Sequence, residues 1–194
     1  MKILKQIAQI RAGYPFRGKL KEVSTGNLSV LQLSDITDSF FIDLASAART
    51  EQAEIKEQYL IQPGDIIFRS RGQTNTAAIV PAISQDTVSA APLIQIRVTS
   101  PEVTPEYICW FINQPNAQAY LNRNAKGTSV RMIGRDALEN LPITIPPLEK
   151  QREITAIAKL ADHEQRLMER LREKKKKLIS GILTQVASET GGEI

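Results

Sequence analysis

A chain of 194 residues is long enough for one medium-sized domain with an appendage, or for two small domains. Its 42% hydrophobic and 24% charged residues are typical of a folded protein, and a formal net charge of +4 permits nucleic-acid binding without requiring it. The single cysteine, Cys109, and the single histidine, His163, exclude an intramolecular disulfide and a zinc site of ordinary composition.

The first 145 residues have the pattern of mixed strands and helices. Short apolar runs at 66–68, 77–83 and 93–98 are bounded by glycine, proline, aspartate and serine, which predicts strands. A Pro-Gly-Asp turn at 63–65 leads directly into the first of them. No run approaches the roughly 18 apolar residues of a membrane span, so a soluble, cytoplasmic protein without membrane contact is expected.

Helical patterns begin at Thr104. This residue is a suitable N-cap, and Pro105 fits the first helical position. Pro115 restarts a second short helix, and a third is predicted at 135–139. Segment 141–145 is predicted to be an edge strand because it contains a proline.

A long amphipathic helix is predicted from Leu148 to about Val186. Only one glycine and no proline occur in this stretch, and apolar residues recur at steps of three and four. So long an apolar stripe needs a partner helix, and its heptad-like spacing predicts a coiled coil, although Glu164 and Lys174 interrupt the stripe. The residues assigned to dimerisation are Leu160, Leu167, Leu171, Leu178 and Ile182.

The sequence gives little support for catalysis. His163 lies inside the charged long helix, away from any segment that could carry a nucleophile. Asp43, Glu54 and Lys56 could form a small metal-dependent nuclease site, since carboxylates can hold Mg²⁺ while a lysine polarises water. The same acid-x-lysine pattern recurs at 173–175, which shows how readily it arises by chance. No glycine-rich cofactor loop follows an early strand, so no cofactor is expected.

Two polar loops are candidates for nucleic-acid recognition. The first follows the strand at 66–68, and its arginine, glutamine and asparagine side chains can pair with purine edges. The second is a basic, glycine-hinged loop suited to phosphates or bases. Taken alone, each segment is more typical of a solvated loop with a structural glycine. The candidates are Arg69, Arg71, Gln73 and Asn75 in the first loop, and Lys126, Thr128, Ser129 and Arg131 in the second.

Four segments together resemble a known family over nearly the whole chain. They are the opening segment 10–19, segment 60–69 followed by Gly72, the Lys-Gly-Thr at 126–128, and Pro-Pro-Leu-Glu-Lys-Gln at 146–151. Their order resembles the specificity subunits of type I restriction–modification systems. The proline pair with a glutamine four residues on is the most specific match. By this resemblance Arg17 and Lys19 of the opening segment are added to the DNA-binding candidates.

The resemblance implies an α+β fold in which a mixed target-recognition domain, 1–147, precedes a dimerisation and spacer helix, 148–187, and a frayed tail, 188–194. In that family a full-length subunit carries two recognition domains and two long helices and recruits two methyltransferase subunits. This chain has one of each, so the resemblance implies a half-subunit, either natural or truncated, and a homodimer through an antiparallel coiled coil would supply the missing half.

The implied function is non-catalytic reading of one half-site of double-stranded DNA. The implied partners are DNA adenine methyltransferase (modification) subunits, with or without a restriction and translocation subunit. A self-sufficient nuclease using Asp43, Glu54 and Lys56 is the alternative.

Overall fold

A computed structural model describes residues 1–37, 39–52, 55–72, 75–127 and 131–190. The strands are β1 (Lys2–Ile3), β2 (Ala8–Ala12), β3 (Leu28–Leu31), β4 (Ala48–Thr50), β5 (Ile66–Arg69), β6 (Ala77–Ile79), β7 (Thr87–Ser89), β8 (Leu93–Val98) and β9 (Pro142–Ile143). The helices are α1 (Pro105–Ile112), α2 (Pro115–Arg123), α3 (Arg135–Glu139) and α4 (Leu148–Thr190).

The strands form three small sheets. The central sheet has the order β2-β8-β5-β6, and all of its neighbouring strands are antiparallel. A second sheet, β4-β3-β7, pairs β3 with β7 in parallel. The third sheet pairs β1 with β9, so that the first residues of the chain lie beside the segment that precedes α4.

The central sheet is buried on both faces. Ile66 and Phe68 belong to a hydrophobic cluster that also contains residues of α1, α2 and α3. Ile67, between them in sequence, belongs to a second cluster with Leu31 and Ile61. Because successive side chains of a strand point to opposite faces, a strand covered on both sides needs a continuous apolar run. This explains why the sequence at 66–68 does not alternate.

The chain divides into two compact units, Met1–Thr155 and Ala156–Ile194. The first unit contains all three sheets and also the first turns of α4, whereas the sequence predicts a domain boundary at 147/148. The second unit is the remainder of that helix. At about 1.5 Å per residue the whole helix is some 64 Å long.

Gln151 fastens the beginning of α4 to the first unit. Its side chain is fully buried, its Oε1 accepts a hydrogen bond from the Thr104 N–H at 3.0 Å, and its Nε2 donates to the carbonyls of Glu102 and Pro146, both at 2.8 Å. Both N–H donors of the amide and one lone pair of its oxygen are thus used within the fold. The glutamine of segment 146–151 therefore has a structural role, joining the α1 N-terminus to the start of α4.

The predicted α+β class and the long C-terminal helix are confirmed, and so are the helix starts at Pro105 and Pro115. Thr104 caps α1 by accepting a hydrogen bond from the Tyr107 N–H at 3.2 Å. The run at 77–83 forms a strand only over Ala77–Ile79. The edge strand expected at 141–145 is likewise shorter, Pro142–Ile143. The antiparallel coiled coil with a partner helix remains a prediction.

Candidate nucleic-acid interface

Several predicted binding segments leave the same end of the central sheet. In the register of that sheet Ala12 is opposite Ile94, and Arg69 is opposite Leu93. The end of β2, the end of β5 and the beginning of β8 therefore lie side by side. β6 begins at the same level, since Ala77 is opposite Phe68. The loops after β2 and β5 consequently start next to each other at one edge of the domain.

The two polar loops are brought together by Met132. Its backbone N–H and carbonyl each form a 2.9 Å hydrogen bond with Lys126, and it forms an antiparallel bridge with Arg71. The next residue, Ile133, donates its N–H to the Ser70 carbonyl at 2.8 Å. Loops that are about 55 residues apart in sequence thus share one irregular strand, which joins them into a single surface.

A glycine is needed at the turn of the second loop. Gly127 has a φ of +103°, which side-chain-bearing residues rarely adopt, and it follows Lys126 directly. The chain can therefore reverse and return to pair with Lys126 through Met132. Thr128 and Ser129, which were also predicted to bind DNA, lie outside the described residues.

The surface formed by the two loops carries exposed cations. Arg71 and Arg131 are exposed, and so is Lys126, whose Nζ lies 3.1 Å from Asp136 Oδ2. The hydrogen bond from Lys126, with its positive charge, holds the pKa of the Asp136 carboxyl below its ordinary value. Both groups are largely solvated, so the pair contributes little to stability and Lys126 can exchange Asp136 for a phosphate at low cost.

Arg69 is held within the protein more firmly than its exposed neighbour Arg71. It is half-buried, and its Nη1 donates to the Ile36 carbonyl at 3.3 Å while its Nε donates to the Arg71 carbonyl at 3.4 Å. A Cβ at Gly72 would lie 3.0 Å from Arg69 Nη2. The Arg69 guanidinium therefore supports the loop that presents Arg71.

The expectation that Asn75 lies on the exposed face is wrong. The residue is only 8% exposed, and its carbonyl accepts a hydrogen bond from Gln118 Nε2 of α2 at 2.8 Å. Its Oδ1 has no hydrogen-bond partner among the described residues. The Asn75 side chain therefore does not belong to the exposed surface of the first loop. Gln73, the remaining candidate of this loop, lies outside the described residues.

Arg17 and Lys19 are exposed on the loop that follows β2. That loop is fixed close to the start of β8, since the Tyr14 N–H donates to the Ser89 carbonyl at 2.6 Å and the Tyr14 carbonyl accepts from the Ala91 N–H at 3.0 Å. Arg17 lines an open cavity of about 950 Å³. Its wall also contains the aromatic residues Tyr14, Phe16 and Tyr59, the polar residues Gln52 and Lys56, and one carboxylate, Asp86. The cavity thus adds cationic and aromatic groups to the loop after β2.

The three residues of the nuclease alternative are not shown as a site. Asp43 caps a short turn by accepting a hydrogen bond from the Ala45 N–H at 2.9 Å, and Lys56 lines the cavity beside Arg17. Glu54 lies outside the described residues. Within the part of the chain that the structure covers, no group of three His, Cys, Asp or Glu side chains could hold a metal ion. The nuclease alternative is left with no observation in its favour.

No helix among the described residues is both long enough and apolar enough to cross a membrane. Taken together, the described residues form a small α+β domain with cationic loops at one end of its central sheet. One long helix follows this domain in the sequence.

The family to which the chain belongs follows from its match over residues 1–177 to the type I restriction modification DNA specificity domain. The chain is a member of that family, whose role in type I systems is DNA recognition without catalysis. The resemblance drawn from the sequence segments is confirmed. No curated protein has a significantly similar sequence.

Solved structures share this fold at low sequence identity. One, from work on complex assembly and conformational transition of the type I R-M system, has a TM-score of 0.68 and 16% identity, over 93% of this chain and 42% of that chain. The HsdS subunit of Thermoanaerobacter tengcongensis has a TM-score of 0.56 and 18% identity, over 84% and 37%. The S subunit from M. genitalium has a TM-score of 0.57 and 13% identity, over 91% and 42%. This chain thus spans about two fifths of each of these proteins.

Proposed function

We propose that this chain reads one half-site of a bipartite double-stranded DNA target and docks methyltransferase subunits, acting as a homodimer. Membership of the specificity-domain family supports DNA recognition. The observation that carries the half-site proposal is the pairing of Met132 with both Arg71 and Lys126, which gathers the two loops into one cationic surface. One such surface suits one short stretch of base pairs.

The exposed cations divide naturally into two roles. Arg71 is exposed, and the fork of donors on a guanidinium fits the O6 and N7 acceptors of guanine in the major groove. Lys126 and Arg131 flank the turn of the second loop and supply charge to phosphates, which positions the domain without specifying sequence. Arg17 and Lys19 extend the same surface from the loop after β2.

A second copy would supply the second half-site. A two-fold axis between two copies would present two such cationic surfaces, one for each half-site. The exposed apolar side chains of α4 are the surface for that association. Leu160, Leu167, Leu171, Leu178 and Ile182 are 70%, 50%, 67%, 65% and 52% exposed in the single chain.

The proposal is tested by selecting binding sites from random double-stranded DNA with the purified protein. We expect an inverted repeat of two short half-sites separated by a spacer of fixed length and random sequence. Enrichment of a single undivided site, or no enrichment, would refute the half-site proposal.

Catalysis is tested separately. Incubating the protein with plasmid, Mg²⁺ and S-adenosylmethionine should give neither methylation nor cleavage, whereas adding a type I modification subunit encoded beside it should give adenine methylation. Reproducible turnover by the chain alone would contradict its role as a scaffold. Failure of every neighbouring modification subunit to bind it would contradict the docking.

A further inference from the structure

The exposed seam of α4 contains two charged residues, Glu164 and Lys174, within an otherwise apolar a/d pattern. Every apolar member of the seam is at least half exposed in the single chain. Such a seam must be covered, and polar residues at a and d positions fix the register and orientation of the pairing. From residue 157 the sequence spacing between successive seam residues alternates between three and four. The seam consists of Ile157, Leu160, Glu164, Leu167, Leu171, Lys174 and Leu178.

The two charges lie symmetrically in the helix. Glu164 precedes Glu169 by five residues and Lys174 follows it by five. If two copies run antiparallel with their two-fold axis at position 169, Glu164 of one copy faces Lys174 of the other. In the same register Leu167 faces Leu171 of the second copy and Leu160 faces its Leu178, while Ile157 lies opposite its Gly181.

Other arrangements leave the charges unsatisfied. In a parallel, in-register pair, each Glu164 faces Glu164 of the second copy and each Lys174 faces its Lys174, and like charges repel. Shifting the antiparallel pair by one heptad in one direction places Glu164 against Leu167, and in the other direction against Gly181. A charge enclosed in an apolar seam without an opposite charge is strongly unfavourable.

We propose that α4 selects a second copy of this chain as its partner, in the antiparallel register centred on Glu169, through two reciprocal Glu164–Lys174 ion pairs. The inference rests on the homodimer of the proposed function and adds its register and its selectivity. The seam lies wholly within the second compact unit, so both charges act between helices alone. The function of the two charges is to reject wrongly oriented and shifted pairings.

Charge exchange in the full-length protein tests the ion pairs. Glu164→Lys alone places two lysines together at both positions, and Lys174→Glu alone places two glutamates together. Each should weaken the dimer at least about tenfold in its dissociation constant, measured by analytical ultracentrifugation at low salt. The double variant, which restores opposite charges, should dimerise as the wild type does. Single variants that dimerise with wild-type affinity would overturn the proposal.

Subunit exchange distinguishes the orientations. The double variant mixed with wild type should form no mixed dimers in the antiparallel register, because every ion pair would then join like charges. In a parallel pair the same mixture would form mixed dimers preferentially. Mixed dimers in excess of the statistical fraction, detected by native mass spectrometry with a mass-tagged partner, would therefore contradict the antiparallel register.

Crosslinking locates the register without DNA. A mixture of Leu160→Cys and Leu178→Cys chains should be joined by a short thiol crosslinker, whereas each variant alone should not, because equivalent positions of the two copies would be about 27 Å apart along the helix axis. The unsubstituted protein is the control, since its only cysteine, Cys109, is buried. A dimer crosslinked at other positions would reject this register and leave the proposed homodimer intact. A wild-type protein that stays monomeric at micromolar concentration in light scattering would reject both the register and the homodimer.

Discussion

Arg97 donates two parallel hydrogen bonds to Asp65, from Nε to Oδ1 at 2.7 Å and from Nη2 to Oδ2 at 2.6 Å. Asp65 is 2% exposed and also accepts from Gln95 Nε2 and from the Gln62 N–H, both at 2.7 Å. These bonds with Asp65 raise the pKa of Arg97, which keeps the guanidinium charged. One carboxylate therefore shapes the turn that enters β5 and ties β5 to β8.

Asp65→Ala is expected to lower the free energy of unfolding by about 3–5 kcal/mol, because it leaves the partly buried Arg97 charge and the Gln62 N–H without their acceptor. Urea denaturation followed by circular dichroism measures the loss. Glu139→Ala is the control. It removes the more exposed ion pair between Arg135 and Glu139, which should cost less than about 1 kcal/mol. If both substitutions lowered the free energy of unfolding equally, Asp65 would stabilise the fold no more than a surface ion pair does.

Arg71→Ala is expected to weaken binding to the selected target by about 1–3 kcal/mol per half-site and to change binding to random DNA little, because it removes a base contact. Fluorescence anisotropy at constant salt gives both affinities. Lys5→Ala is the control, since Lys5 lies near the opposite end of β2, with its Nζ 3.2 Å from Asn140 Oδ1. Specific and random affinities equal to those of the wild type would remove Arg71 from the recognition surface.

Asp136→Asn is expected to strengthen binding to all DNA sequences alike, because Lys126 loses its competing carboxylate and is free for a phosphate. Lys126→Ala should have the opposite effect and reduce the slope of log affinity against log salt by about one. A salt titration of each variant provides the measurement. If Asp136→Asn altered preference between sequences while leaving the salt slope unchanged, Lys126 would not be a phosphate contact.

Gln151→Leu is expected to destabilise the protein by about 2 kcal/mol, because the Thr104 N–H and the Pro146 carbonyl lose their partner inside the fold. Thermal unfolding monitors the change. Gln165→Leu, at an exposed position of the same helix, should change the stability by no more than about 0.5 kcal/mol. A melting temperature unaffected by Gln151→Leu would show that the side-chain hydrogen bonds of Gln151 do not stabilise the protein.

Adding seven residues to α4 is expected to lengthen the preferred DNA spacer by about three base pairs. One heptad adds about 10 Å of helix and preserves the seam, whereas DNA rises about 3.4 Å per base pair. Site selection from random DNA compares the lengthened and original proteins. Insertion of three residues is the control, since it breaks the heptad and should impair dimerisation. A spacer unchanged by the heptad would show that the helix does not set the distance between half-sites.

The helices were predictable from the sequence because local signals dominate their formation. The cap at Thr104, the prolines at 105 and 115, and the unbroken periodicity of α4 each specify structure within one or two turns. The sheet β4-β3-β7 was not predicted. Its strands are three or four residues long, and β3 and β7 pair in parallel across more than fifty residues. No local pattern encodes such a contact.

The candidate site was predicted only in part for the same reason. The residue types in both loops indicated nucleic-acid binding. The contact between the two loops, however, depends on Met132, an apolar residue that carries no binding signal of its own. Asn75 is buried in the folded domain, and its carbonyl is bonded to Gln118 of α2, which is more than forty residues away in sequence. Arg69 and Arg71 are two residues apart, and only tertiary contacts distinguish the half-buried side chain from the exposed one.

The contacts that hold the two loops together have a consequence for changing the DNA target. Met132 pairs with Lys126, and Ile133 with Ser70, through main-chain amides and carbonyls, which every residue type except proline can supply. The exposed side chains at 71 and 131 can therefore be exchanged without removing these main-chain bonds. A library randomised at these two positions keeps the framework constant while its chemistry varies, so new target preferences should be obtainable by substitution alone, with no redesign of the backbone.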